Sequence, residues 1–277
     1  MPELPEVETI RHDLDREING RKIKAVEVTG TRSVRRGTKK QFISRLEGTK
    51  ITSVKRRGKY LVIMLDSKEW LVVHLRMSGR LLLAAARETK PKHTHVVITF
   101  QQGGQLRFVD PRTFGELFVV APDAIATEAP EIAELGFDPV DDPISWIKFG
   151  HLLLAKKMQL KNFLTDQTII AGIGNIYSDE ILHAAGLRYD RHSDSLTPQE
   201  MRRLYRSMVE VLSEAIKARG SSLADEQYVD AHGRLGSYQL QHQVYARDGH
   251  PCNRCRATVE KAKWQGRSTF YCPQCQV

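Results

Sequence analysis

The chain changes its hydrophobic pattern once, and that change constrains its fold more than any other feature. Up to residue 120 the apolar residues fall in short strand-like runs: Lys22–Val28, Ile51–Arg56, Tyr60–Leu65, Trp70–Leu75, Val96–Phe100, Gln105–Val109 and Phe114–Val120. Gly, Asp and Ser turns separate them, and many short strands at such spacing predict a sandwich or barrel. An amphipathic helix precedes them, because Val7, Ile10, Leu14 and Ile18 recur at helical spacing before Gly20. Beyond residue 143 the pattern is helical. One helix is expected from about Ile144 to Lys157, a short one from Leu160 and a third after Gly174. The longest is opened by Thr197, Pro198 and Glu200, which read as N-cap, first-turn proline and capping-box carboxylate.

Charge divides the chain in the same places. Lys and Arg number 42 against 33 Asp and Glu, a net +9 that predicts an acidic partner. Residues 1–60 hold sixteen basic and eight acidic residues, so most of the surplus is local. From Ala121 to Ile147 there is no Lys or Arg, and Asp123, Glu128, Glu131, Glu134, Asp138, Asp141 and Asp142 are interleaved with four prolines. That stretch reads as an interdomain linker. After Ala246 the balance is basic again, and two basic regions flanking an acidic hinge suit a clamp on a polyanion. Any one of these runs alone would read as a solvated face. No stretch reaches the roughly 18 apolar residues of a membrane span, and the acidic N-terminus is unlike a secretory peptide, so a cytoplasmic protein is expected.

All four cysteines lie within the last 26 residues. Cys252, Cys255, Cys272 and Cys275 form two Cys-x2-Cys knuckles separated by sixteen residues. Four thiolates at that spacing can close a tetrahedron around one Zn2+, and with every position filled by protein the metal is structural. A finger this small depends on its metal for its fold. Arg267 then sits on a rigid turn suited to gripping phosphate.

The first residues hold a possible nucleophile. If Met1 is removed, Pro2 becomes a secondary amine, and an α-amino group titrating near pH 8 is partly neutral at physiological pH. Attack on a sugar's anomeric carbon yields an iminium that acidifies neighbouring protons. Glu3 and Glu6 lie beside it as candidate acid and base. Taken alone, a penultimate proline is more often incidental, and two early glutamates more often complement the helix dipole. A Gly-x-Gly turn at Gly172–Asn175 ahead of a helix could let backbone N–H groups approach a phosphate.

The whole set of motifs resembles the formamidopyrimidine-DNA glycosylase family. The resemblance rests on Pro2-Glu3-Leu4-Pro5-Glu6-Val7-Glu8-Thr9, Arg57-Gly58-Lys59-Tyr60-Leu61, His74-Leu75-Arg76-Met77-Ser78-Gly79-Arg80 and Asp110-Pro111-Arg112-Thr113-Phe114-Gly115. It continues through Ala171-Gly172-Ile173-Gly174-Asn175-Ile176-Tyr177 and Arg267-Ser268-Thr269-Phe270-Tyr271-Cys272-Pro273-Gln274-Cys275, covering the chain end to end.

The resemblance implies an α+β multidomain fold. Residues 1–120 would form a catalytic helix with a β-sandwich and 121–143 a linker. Residues 144–245 would form a helical domain with a helix-two-turn-helix element and a lesion-recognition loop near 220–238, and 246–277 a four-cysteine zinc finger. It implies a bifunctional DNA glycosylase and abasic-site lyase that removes oxidised purines from duplex DNA, acting as a monomer in the bacterial cytoplasm and nucleoid. Pro2 would be the nucleophile and Glu3 its acid/base partner, with Glu6 beside them. Lys59 would serve β-elimination, and Arg267 would hold phosphate and serve δ-elimination. DNA contacts would fall to His74, Met77, His93, Arg112, Phe114, Lys157, Asn175, Tyr177 and Arg267, with Met77, Arg112 and Phe114 filling the gap left by an extruded nucleotide. The lesion loop departs from the family's pattern: it reads Gly220-Ser221-Ser222-Leu223 and then Gly236-Ser237-Tyr238, with extra residues near Asp225–Gln227. An endonuclease VIII-like enzyme for oxidised pyrimidines is the nearer alternative, disfavoured by Leu4 and by the Asp110–Gly115 motif. A non-enzymatic zinc-finger DNA binder is the more distant one.

Overall fold

The opening helix α1 (Leu4–Ile18) is fixed at both ends by local chemistry. Glu3 caps it in a capping box with Glu6, Pro5 stands in the first turn, and Gly20 beyond its end adopts φ +80°. Val7, Ile10, Leu14 and Ile18 are fully buried along one face. A computed structural model describes all 277 residues, and its backbone divides into two units. The first comprises Met1–Glu134 with Ala218–Ser237, the second Leu135–Lys217 with Tyr238–Val277.

After α1 the first unit continues with β1 (Ile23–Val28), α2 (Lys39–Leu46), β2 (Ile51–Arg57), β3 (Tyr60–Leu65), β4 (Trp70–His74), β5 (Arg80–Ala84), β6 (Thr94–Phe100), β7 (Gln105–Val109) and β8 (Glu116–Val120). The strands form two antiparallel four-stranded sheets, ordered β1-β6-β7-β5 and β2-β3-β4-β8. Register places apolar residues opposite one another, with Ile98 against Leu106, Leu81 against Phe108 and Val73 against Leu117. Leu71, Val73 and Leu117 of one sheet share a core with Leu81, Val96, Ile98, Leu106 and Phe108 of the other, and the apolar face of α1 closes it. Eight strands thus make a sandwich, as the short apolar runs predict.

Three features differ from expectation. The sequence does not announce β5, because Arg-Leu-Leu-Leu-Ala has no alternation, nor α2, because only Phe42 and Leu46 of its eight residues are buried. The acidic stretch is not an open linker. A 3-10 turn at Pro122–Ala124 leads into α3 (Ile125–Glu128) and α4 (Pro130–Ala133). Arg36 pairs with the Glu131 carboxylate and the Glu128 carbonyl, and Arg57 Nε donates to the Ile132 carbonyl at 3.1 Å. Part of the N-terminal basic surplus is therefore neutralised within the first unit. Finally, the loop around 220–238 packs with the sandwich and not with the helices that precede it. Tyr228 and Ala231 join the sandwich core, and the Leu83 N–H donates to the Ala231 carbonyl at 2.8 Å.

The second unit contains α5 (Trp146–Lys156), α6 (Leu160–Thr165), α7 (Asn175–Ala185) and α8 (Pro198–Lys217). The capping box of α8 forms as the sequence indicates: Glu200 N donates to Thr197 Oγ1, and Thr197 N donates to Glu200 Oε2 at 2.8 Å. Met201, Leu204, Met208, Val211, Leu212 and Ala215 make its buried stripe. The unit ends in a hairpin of β9 (Glu260–Trp264) and β10 (Arg267–Tyr271). Its turn residues Gln265 and Gly266 both have positive φ, 44° and 79°, as a two-residue hairpin turn requires.

Inside the sandwich unit one carboxylate organises a loop. Asp110 is fully buried and accepts from Ser78 Oγ at 2.5 Å, Gly115 N at 2.7 Å and Arg112 N at 3.1 Å. Replacing Asp110 with Ala leaves these donors unpaired, and a urea melt should show about 3 kcal/mol of lost stability.

Candidate active site and nucleic-acid interface

The residues at the head of α1 are placed by the helix itself. Pro2 is buried, as are Glu3 and Glu6, while Met1 is exposed. The Glu6 carboxylate bridges two backbone donors: Glu3 N gives to Oε2 at 2.8 Å and Ser221 N to Oε1 at 2.7 Å. Gly220 allows that approach, because it has φ +76° and a Cβ there would stand 2.6 Å from Glu6 Oε1. Two residues further along, Glu8 accepts from Arg56 Nε at 2.9 Å, and Arg56 Nη1 donates to the Gly58 carbonyl at 3.1 Å. Gly58 and Lys59 are the two turn residues between Arg57 and Tyr60, with φ +56° at Gly58. The helix thus fixes the turn that carries Lys59, itself buried. Its ammonium is close enough to act on His74. Burial first, then Arg76 and Lys59, push His74 down to about 3, so its imidazole is neutral. Nδ1 of His74 accepts from Arg76 N at 3.0 Å, and its ring meets Tyr60 edge-on at 4.4 Å.

The same unit presents the proposed stack-filling side chains. Met77 and Phe114 are 41% and 53% exposed, so both are free to reach a partner. Arg112 is exposed and lies over the Phe114 ring at 5.1 Å. His93 is exposed at φ +64°, and its carbonyl accepts from Asp110 N. Asp110 therefore ties the His93 and Arg112–Phe114 segments together, which the sequence motif alone does not reveal.

In the second unit Lys157 ends α5 in the left-handed conformation and is exposed. Gly174 is the N-cap of α7 and Asn175 its first residue, so the helix dipole points its positive end at this turn. Asn175 Nδ2 donates to the Ser268 carbonyl at 3.0 Å, next to Arg267. Arg267, Asn175, Lys161, Asn162, Thr165, Trp264 and Gln265 line a polar cleft of about 210 Å³. Lys161 belongs to none of the sequence motifs, and no local signal marks it. Its ammonium is buried against Asp179, and Thr269 Oγ1 also donates to Asp179, at 2.6 Å, which seats β10 on α7. Tyr177, expected among the DNA contacts, is wholly buried with its ring against Tyr238, so its side chain serves the helical core.

The four cysteine Sγ atoms lie within 4.8 Å of one another. Cys252 and Cys275 are 3.9 Å apart and Cys255 and Cys272 3.4 Å, against the roughly 3.8 Å between sulfurs that share a tetrahedral zinc at 2.3 Å. Arg254 N and Cys275 N each point at a sulfur from 3.4 Å, supporting thiolate charge. The residues present therefore fit one structural Zn2+. His183 Nε2 lies 3.5 Å from Cys252 Sγ, and burial with Arg254 and Arg247 pushes this imidazole down to about 4, so it is neutral beside the cluster.

The chain thus combines a β-sandwich opened by a Pro-Glu helix with a helical unit that ends in a four-cysteine hairpin fit for one zinc ion. Residues 1–117 match the formamidopyrimidine-DNA glycosylase N-terminal domain, 135–227 the H2TH domain of the same glycosylases, and 249–277 the zinc finger found in FPG and IleRS. A formamidopyrimidine-DNA glycosylase of Pelotomaculum thermopropionicum is 42% identical over 276 residues, covering 100% of this chain and 99% of the relative. Lactococcus lactis Fpg, solved with abasic-site DNA, superposes with a TM-score of 0.90 at 35% identity, covering 99% of both chains. MutM bound to carbocyclic 8-oxo-G DNA gives 0.89 at 36% identity over the same share of each chain. The chain belongs to the formamidopyrimidine-DNA glycosylase family.

Two outcomes follow from this geometry. Removing zinc with a chelator should strip hydrogen-exchange protection from residues 246–277 and weaken DNA binding, while the amides of β2–β4 keep theirs. His74 and His242 are both held neutral by burial, at about 3 and about 4, whereas an unfolded histidine titrates near 6.5. Their contribution is complete above pH 6.5 and is lost as pH falls toward the folded values, by about 2 kcal/mol each at pH 5. Denaturant melts at pH 7.5 and pH 5 should register that loss.

Proposed function

We propose that this protein is a bifunctional DNA glycosylase and abasic-site lyase of base excision repair, acting on 8-oxoguanine and formamidopyrimidines in duplex DNA of the bacterial nucleoid. The observation that carries the reading is Pro2 buried beside Glu3 at the head of α1, with Glu6 locking that head to the loop at Ser221. Once Met1 is removed, the Pro2 nitrogen attacks C1′ of the damaged nucleotide, forming an N–C1′ bond as the bond to the base breaks and the base leaves with its electron pair. Glu3 takes the N–H proton of Pro2 and delivers it to O4′, so the C1′–O4′ bond breaks, the sugar opens and a cationic iminium is left. The iminium draws electron density from C2′, whose proton is lost as the 3′ phosphate departs in β-elimination, with Lys59 the nearby cation. A second elimination releases the 5′ phosphate, with Arg267 on phosphate. Hydrolysis of the remaining iminium frees Pro2.

Met77, Arg112 and Phe114 fill the space of the extruded nucleotide, since an open stack leaves an apolar gap and an unpaired partner base. His74 and His93 line the same unit's DNA-facing segments, and Lys157, Asn175 and Arg267 hold the backbone from the second unit. The zinc supplies no chemistry; it holds the hairpin on which Arg267 stands. One chain provides every named group, so a monomer is catalytically complete.

Borohydride trapping tests the reading. The protein should form a covalent adduct at residue 2 with an 8-oxoguanine:cytosine duplex, more than with an oxidised-pyrimidine duplex, and Pro2→Gly should reduce trapping by about 100-fold or more. DNA binding without an adduct on either duplex would favour a non-enzymatic binder. Preference for the pyrimidine duplex would reassign the substrate.

A further inference from the structure

Arg80 closes the His74–Arg80 motif, yet no step of the excision chemistry uses it. It begins β5, the edge strand of its sheet, and its guanidinium spans two successive carbonyls of the loop that follows α8. Nε donates to the Gln227 carbonyl at 2.9 Å and Nη2 to the Glu226 carbonyl at 2.8 Å. Three residues along the same edge, Leu83 N donates to the Ala231 carbonyl at 2.8 Å. The edge of the sandwich is thus the seat of the loop.

The two ends of that loop are held differently from its tip. Its base is tied to α1 by the Ser221–Glu6 bond and by Arg219, which pairs with Asp13 and Asp230. Its returning arm is pinned by buried Tyr228, whose hydroxyl donates to the Arg219 carbonyl at 2.9 Å. The tip, residues 224–226, is exposed, and Glu226 sits at φ +46°, costly for a side chain of its size. Short turns from Glu226 N to Leu223 O and from Gln227 N to Asp225 Oδ1 shape it locally. Such turns leave a segment without apolar anchors free to rotate as a body. A planar guanidinium that grips consecutive carbonyls removes that freedom, because both bonds are satisfied in one orientation.

We propose that Arg80 is a positioning residue for base selection, holding the Glu226–Gln227 backbone so that the 220–238 loop meets the damaged base in one conformation. This rests on the glycosylase reading above. Arg80 acts on the step that recognises the base and has no part in the sugar chemistry at Pro2, so the two activities of one protein separate its role from a general one.

Single-turnover assays on wild type, Arg80→Ala and Arg80→Lys test it. Arg80→Ala should lower 8-oxoguanine excision roughly tenfold to a hundredfold, the scale on which small misplacements act, and Arg80→Lys should recover part of it by reaching one carbonyl. Strand cleavage at a preformed abasic site should stay within about twofold of wild type, since no base is read there. Affinity for an abasic-analogue duplex, and its dependence on salt, should also be unchanged. Equal loss of excision and abasic-site cleavage would overturn the proposal, as would a shallower salt dependence, which would make Arg80 a phosphate contact. Unchanged excision in Arg80→Ala would overturn it too. Wild-type protein inactive on both duplexes would instead defeat the glycosylase reading and this inference with it.

Discussion

Two carboxylates on the first turns of α1 hold the candidate active site together. Glu6 accepts the N–H of Glu3 and that of Ser221, 215 residues further on, and Glu8 holds Arg56, which in turn holds the carbonyl before Lys59. Each is buried, and a buried charge is tolerated only when it is paired and hydrogen-bonded. Removing one partner leaves the other charge stranded, at a cost of about 3–5 kcal/mol. The helix that presents Pro2 therefore also fixes the turn of Lys59 and the root of the 220–238 loop, so nucleophile, cation and loop share one rigid reference.

The second unit repeats the device on α7. Asp179 accepts from Lys161, Thr269 Oγ1 and Phe270 N, while Glu180 takes the N–H groups of Gln243, Val244 and Tyr245. Burial pushes both carboxyls up, and the hydrogen bonds from those donors pull against it. His183, one turn on, reaches the Cys252 sulfur. The helix whose N-terminus carries Asn175 thus holds the zinc hairpin along its length, and the metal cluster and the Arg267 cleft are mechanically one piece.

Much of this is legible in the sequence. The capping boxes of α1 and α8, the two cysteine knuckles and most strands are set by residues a few positions apart, and short-range sterics and hydrogen bonding decide such features. Leu-Leu-Leu in β5 hides a strand because a run of three identical apolar residues in a five-residue element shows no alternation. The acidic segment reads as a linker because composition cannot show that Arg36 and Arg57 await it. Tyr177 follows its motif into the set of expected DNA contacts, and only packing shows its ring turned against Tyr238.

The sequence by itself determined the order of β-rich and helical segments, the zinc ligands and the candidate nucleophile, because each depends on identities at fixed spacing along the chain. The tertiary structure alone decided that the loop after α8 belongs to the sandwich, that Asp110 ties His93 to the Arg112–Gly115 turn, and that Arg80 grips Glu226 and Gln227. Those are pairings between groups well separated along the chain. Their partners are chosen by which donors and acceptors burial brings within about 3 Å, and no local pattern records that choice.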